Sequence, residues 1–314
     1  MASLHPPHLA LSRRRLLRGL LAAAAASALP LPGALAQASE PLTRTLPGTG
    51  VALPRVGLGS WITFNVGDDP VLLEACTAVM AAFFAAGGRL IDSSPMYGTS
   101  QATIGHALKR LGAVERVYAA DKVWTLRRDE GPAQIEASRQ AWGVPRFDML
   151  QVHNLRGWEG HLETLQAMKA AGEVRHLGIT TSHGRRHDEV EHIMRNAPLD
   201  SVQLTYNIVD REAESRLLPL ARERGIGVIA NRPFQRKRLI RRLSGQPLPP
   251  WAAEINATTW AQFILKFIIS HPAITCAIPA TTRVEHVREN LAAAREPLPD
   301  EALRRRMADH VRGL

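Results

Sequence analysis

Residues 89–153 read RLIDSSPMYGTSQATIGHALKRLGAVERVYAADKVWTLRRDEGPAQIEASRQAWGVPRFDMLQVH, and this stretch decides the fold. Three short, nearly continuous apolar runs, Arg89–Ser93, Val117–Trp124 and Phe147–His153, alternate with two helix-length segments, Thr99–Leu111 and Pro132–Trp142. Such runs suit strands buried on both faces of a parallel sheet. Each helix is followed by a glycine suited to a left-handed C-cap, Gly112 and Gly143. Each strand also closes on polar residues: Asp92 with Tyr97 shortly after, Lys122, and His153.

The rhythm continues on both sides. Further strands are predicted at Val56–Trp61, Arg175–Thr180, Ser201–Tyr206, Gly227–Ala230 and Ile274–Pro279. Helices are predicted at Pro70–Ala86, Trp158–Ala171, Arg211–Arg224 and Trp260–His271, with Gly87, Gly172 and Gly225 as further stops. A β-hairpin is expected at Leu42–Leu53, turned around Pro47-Gly48, and an insertion rich in Arg and Pro, Pro233–Asn256, follows the seventh strand. Eight strand–helix units without a break in composition predict an α/β protein, a (β/α)8 TIM barrel with an N-terminal β-hairpin. A doubly wound dinucleotide-binding sheet would need a third glycine after Gly57-Leu58-Gly59, and Ser60-Trp61-Ile62 supplies none.

The chain has 314 residues, 39 Lys+Arg against 29 Asp+Glu, and 45% apolar residues, which excludes disorder and a disulfide scaffold. Cys76 and Cys276 are the only cysteines and read as small buried apolar residues rather than a redox centre. No metal-ligand cluster and no G-x-S-x-G elbow occur. Beyond residue 36 the net charge falls to +6, with no basic stripe interleaved with aromatics, so no nucleic-acid partner is expected.

Residues 1–36 read as a signal peptide. Arg13, Arg14, Arg15 and Arg18 precede an Ala/Leu stretch from Leu16 to Leu29, and Ala34-Leu35-Ala36 offers a cleavage site before Gln37. Ser12-Arg13-Arg14-Arg15-Leu16-Leu17-Arg18 resembles the twin-arginine pattern; an Arg-rich general-secretory signal is the alternative. The expected mature domain is 37–314. It would be exported folded through the twin-arginine translocase to a periplasmic or extracytoplasmic site, without a stable membrane span, since the apolar stretch is shorter than the ~20 residues a spanning helix needs.

Chemistry in a barrel of this type sits at the C-terminal mouth, where Asp92, Tyr97, Lys122 and His153 would converge. Together they make a general acid for a carbonyl. Tyr97 donates the proton, Lys122 is expected to lower the phenol's pKa, Asp92 holds Lys122, and His153 bonds the substrate oxygen or relays charge. No side chain supplies hydride, so a nicotinamide is implied.

The sequence here resembles the aldo-keto reductase family over nearly the whole mature chain. The matching stretches are Val56–Trp61, Ile91–Gly98, Lys122-Val123-Trp124, Gln151–Asn154, Val174–Gly178, Val202-Gln203 and Ile278–Thr282 leading to Glu289-Asn290. The resemblance implies a barrel monomer that binds NADP(H), with NAD(H) as the alternative, and reduces a small-molecule aldehyde or ketone. It implies that Gln203 and Thr180 meet the nicotinamide carboxamide, Glu289 and Asn290 the adenine, and Trp61, Trp124 and Asn154 the substrate. Departures are Thr180-Thr181 in place of the usual Ser-Asn, and Asn231-Arg232-Pro233 in place of an aromatic that stacks on the ring. Thr281, Arg283 and Arg288, with His286, stand where the 2′-phosphate side is bound, and Arg232 and Arg238 are candidates to clamp phosphates. Arg236 and Lys237 read equally as a solvated loop. The pocket is expected to be largely apolar, from Trp61, Phe64, Met96, Trp124, Trp158 and Phe234. The competing readings are an exported nucleotide- or ligand-binding sensor barrel without turnover and, last, a phosphate-handling barrel enzyme using Arg232 and Arg238.

Overall fold

Apolar runs too short for helices, most of them closed by a polar residue, form eight parallel strands in sequence order. The computed structural model describes residues 40–314. The strands are β3 (Leu58–Gly59), β4 (Leu90–Asp92), β5 (Tyr118–Val123), β6 (Phe147–Val152), β7 (Val174–Thr180), β8 (Ser201–Thr205), β9 (Gly227–Asn231) and β10 (Ile274–Ala277). Each pairs in parallel with the next. Bridges Val56↔Ala277 and Gly59↔Ala280 join the first strand to the last, so the sheet closes as the eightfold alternation predicts.

Helices follow the strands: α1 (Pro70–Ala85), α2 (Ser100–Leu111), α3 (Gly131–Trp142), α4 (Trp158–Ala170), α5 (His187–Asn196) and α6 (Leu217–Arg224) after β3 to β8 in turn. After β9 come α7 (Arg238–Leu243) and α8 (Trp260–Ser270), and after β10 come α9 (Val284–Ala292) and the C-terminal α10 (Glu301–Gly313). Asp69 caps α1 through its carboxylate, which accepts from the backbone N–H of Val71 and Leu72. Gly112, Gly143 and Gly225 end α2, α3 and α6 in the left-handed conformation, as the sequence predicts.

Strand periodicity sorts the side chains into two populations. Ile91, Ala119, Val123, Leu150, Val202, Leu204 and Val228 point outward into the apolar layer beneath the helices. Leu90, Ala120, Met149 and Ile229 point inward and form a separate cluster with Tyr118 and Cys276. The hairpin, β1 (Thr43–Thr45) and β2 (Ala52–Pro54), pairs Thr43 with Pro54. Its Leu46 and Leu53 are fully buried in that inner cluster, so the hairpin plugs the end of the barrel where the strands begin. Gly227 lets it do so, because a Cβ there would collide with Leu46 Cδ1.

One step of two residues along the strands converts the apolar inner layer into a polar one. Leu90 is followed in phase by Asp92, Ala120 by Lys122, Met149 by Gln151, Ser201 by Gln203 and Ile229 by Asn231. Inward residues of a closed barrel stack in such layers. The upper layer lies at the mouth.

Candidate active site

Lys122 is fully buried, and its ammonium can persist there only if its donors are used. Its Nζ donates to both oxygens of Asp92, each at 2.7 Å, and to the Ser93 carbonyl at 2.6 Å. Asp92 Oδ1 accepts again from Gln203 Nε2 at 2.8 Å. Gln203 Nε2 also donates to Gln151 Oε1 at 3.1 Å, and Asn231 Nδ2 donates to Gln203 Oε1 at 3.3 Å and to the Thr181 carbonyl at 2.9 Å. Thr205 Oγ1 completes the chain by donating to Asn231 Oδ1 at 2.7 Å. Five strands thus share one polar network inside the barrel. Asn231, where an aromatic is expected, serves as its roof.

Tyr97 follows β4 in the turn Ser94–Gly98, where its backbone N–H donates to the Ser94 carbonyl at 2.9 Å. Its ring lies 5.4 Å from Lys122 Nζ and 5.7 Å from the His153 ring, edge to face. The expected lowering of the phenol's pKa does not occur. Burial, helped by the charges of Asp92 and Asp121, raises it well above the usual value. A neutral phenol is the form that can donate a proton.

His153 Nδ1 lies 2.7 Å from Ser94 Oγ. Burial, reinforced by Lys122, pushes its pKa down to about 2, so the ring is neutral and carries no relayed charge. The rate of carbonyl reduction should therefore be level between about pH 5 and 8, across the ordinary His range. A limb near pH 6.5 that vanishes in His153→Gln would contradict this assignment.

Asp121, next to Lys122 but pointing outward, is fully buried. It accepts from Gln101 Nε2 (2.8 Å), Trp142 Nε1 (2.5 Å) and the Lys122 backbone N–H (2.7 Å). Burial lifts its pKa to about 7 against the pull of Lys122 and those bonds. It clamps β5 to α2 and α3 and does not reach the mouth.

The remaining predicted residues lie around the rim. Thr180 is buried, and its Oγ1 accepts from the Asn154 N–H at 3.2 Å; Thr181 Oγ1 donates to the Arg185 carbonyl at 2.7 Å. Both hydroxyls hold loops. Arg238 donates to Gln235 Oε1, and Gln235 Nε2 to Asp210 Oδ2, which ties the loop after β9 to the loop after β8. Arg236, though exposed, is not merely solvated: its guanidinium stacks 4.1 Å from the Trp61 ring centroid, spanning from the loop after β9 to the loop after β3. Thr281 Oγ1 accepts from the Arg283 N–H ahead of α9 and lies 3.2 Å from His286 Nδ1. Arg283 and Arg288 are exposed, Glu289 is half-buried and Asn290 buried. Phe64, expected at the pocket, is fully buried in the core.

A cleft of about 510 Å³ adjoins Trp124 and Asn154. It is more polar than expected, since Arg156, Arg186, Glu159 and Glu189 join Met96 and Trp158 in its wall. Sequence reading missed Ser94 and Gln151, although Gln151 stands in phase with His153 and Ser94 with Asp92. It also missed Arg156.

Arg232 sits in the left-handed region with a buried Nε that has no partner. Burial and the neighbouring Arg236, Arg238 and Arg185 lower its pKa, and burial with Arg232, Arg185 and Arg236 lowers that of His183. Such mutually repelling cations at the mouth suit a polyanion.

A closed eight-stranded barrel carrying a Tyr–Lys–Asp–His group and a basic rim at its mouth is the architecture of a carbonyl-reducing barrel enzyme. The family model described as "Aldo/keto reductase family" matches residues 55–307, and the chain belongs to that family. It is 28% identical over 253 residues to methylglyoxal reductase YeaE of Escherichia coli (strain K12), covering 77% of this chain and 86% of that protein. It is 26% identical over 326 aligned positions to the NADH-specific methylglyoxal reductase of the same organism, covering 83% and 96%. Among solved structures, an aldo/keto reductase from Klebsiella pneumoniae in complex with NADP and acetate superposes with a TM-score of 0.71. It has 24% identity and covers 84% of this chain and 93% of that one, a likeness of fold.

Proposed function

We propose that the barrel reduces an aldehyde or ketone to an alcohol with NADPH or NADH, Tyr97 donating the proton. The observation that carries the reading is Tyr97, held neutral beside the buried Lys122–Asp92 pair and the neutral His153 at the mouth. When bound, the dinucleotide supplies the hydride for the carbonyl carbon. Tyr97 Oη gives its proton to the carbonyl oxygen, and the phenolate left behind is stabilised by Lys122. His153, fixed by Ser94, orients that oxygen. Gln203 and Asn231 would hold the nicotinamide, Arg232, Arg185 and Arg236 the phosphates, and Thr281, Arg283, Arg288, Glu289 and Asn290 the adenosine end. The NADP held by the Klebsiella pneumoniae protein and the NADH specificity in the name of an Escherichia coli relative support both nucleotides.

Residues 1–36 lie outside the described residues. We propose from their sequence that they direct folded export, leaving 37–314 as the mature domain. Among the described residues no helix is long and apolar enough to cross a membrane.

One experiment tests both proposals: express the full chain, fractionate the cells, and determine the N-terminus and any released nucleotide by mass spectrometry. Oxidation of NADPH by aldehydes is then followed. The expected result is an extracytoplasmic protein beginning at Gln37, carrying or binding NADP(H) and oxidising it. A protein that neither binds nucleotide nor turns it over overturns the reductase reading, and an uncleaved cytoplasmic chain overturns export.

A further inference from the structure

Resting on the reductase reading, we propose that the preferred substrate is a carbonyl compound bearing one carboxylate, which Arg156 receives. The cleft beside the catalytic group contains two guanidiniums. Arg186 is already satisfied. Its Nε and Nη2 each lie 2.5 Å from Glu189 carboxylate oxygens, and its Nη1 donates to the Asn154 carbonyl at 2.8 Å. Trp158 Nε1 donates to Glu189 as well, at 2.9 Å, so Glu189 has no charge to offer Arg156.

Arg156 makes no ion pair and no side-chain hydrogen bond among the described residues, and its Nε is buried without a partner. Its guanidinium is parked 5.0 Å from the Trp124 ring centroid, and Trp124 lies 6.4 Å from the His153 ring. The Arg156 backbone N–H donates to the His153 carbonyl at 3.1 Å, so the arginine is tied to the catalytic loop. Just beyond it, α4 begins at Trp158 behind Gly157 as its N-cap, and the lack of a side chain there leaves the first-turn amides without a capping partner from that position. The other acid in the wall, Glu159, is exposed and makes no ion pair among the described residues.

A planar fork of donors stacked on an aromatic face and lacking a counter-ion is matched by a carboxylate. A single unpaired guanidinium balances one negative charge. A phosphate dianion would add a second charge beside Glu159, which disfavours it.

The test compares 4-carboxybenzaldehyde with its neutral methyl ester under saturating NADPH, in the wild type and in Arg156→Leu and Arg156→Lys. The wild type should favour the acid, and Arg156→Leu should lower the acid-to-ester ratio of kcat/KM by about 10- to 100-fold, the range for losing a charged hydrogen bond. The loss should fall mainly on KM, and Arg156→Lys should restore part of it. Calorimetric binding of the alcohol product 4-(hydroxymethyl)benzoate to the holoenzyme should weaken in parallel. A ratio unchanged in Arg156→Leu, with the ester still reduced, overturns the carboxylate assignment alone. Failure to reduce either aldehyde overturns it together with the reductase reading.

Discussion

Tyr97→Phe should lower kcat for carbonyl reduction by about 10²- to 10⁴-fold, the usual worth of a positioned general acid. Nucleotide affinity should stay within a few-fold of the wild type, because the phenol hydroxyl faces the reacting oxygen and the ring that packs on His153 is kept. Aldehyde-dependent NADPH oxidation, with affinity from fluorescence titration, checks both parts. Since burial already keeps the phenol protonated, the variant should be equally slow at pH 6 and pH 8. Wild-type turnover in Tyr97→Phe would remove Tyr97 from the reaction and leave His153 as the donor to be tested.

Lys122→Met should be the most damaging single change in the protein, through stability and rate together. It leaves the Asp92 carboxylate buried with the Gln203 amide as its remaining side-chain partner. Breaking a buried ion pair from one side typically costs about 3–5 kcal/mol, because the surviving charge stays desolvated. Activity should fall by about 10²-fold or more as the developing phenolate loses its neighbouring ammonium. The paired variant Asp92→Asn with Lys122→Met removes the orphaned charge, so urea denaturation should show most of the stability recovered while activity stays low. If the paired variant is no more stable than Lys122→Met alone, the unpaired charge is not the cause.

What could be read in the sequence is what depends on neighbours along the chain. The strands closing on Asp92, Lys122 and His153 stand where apolar runs end, and the helix stops at Gly112, Gly143 and Gly225 follow from backbone geometry. The predicted helix Arg211–Arg224 begins later, at Leu217, because Pro219 is tolerated only in a first turn and Glu214 is drawn to Tyr206 and Arg211 instead. The first strand is shorter than Val56–Trp61 because it meets the last strand only through two bridges. The Gln151–Gln203–Asn231 network, Arg236 on Trp61 and the burial that raises the Tyr97 pKa depend on residues far apart in sequence. Each needs barrel closure before it has a physical meaning. Ser94 lies between, close to Asp92 in sequence yet partnered with a ring 59 positions away.

The polar layer across the barrel has a consequence for how the protein comes into being. Asp92 and Lys122 emerge early from the ribosome on adjacent strands, but the amide that completes Asp92 arrives 111 positions after it, and the bridge from Val56 waits for Ala277. Until then a nascent half-barrel carries an ion pair with no enclosure and a mouth with no opposite rim. Chemistry therefore begins only once synthesis is essentially complete, and a truncated chain holding the whole Tyr–Lys–Asp–His group should be inert.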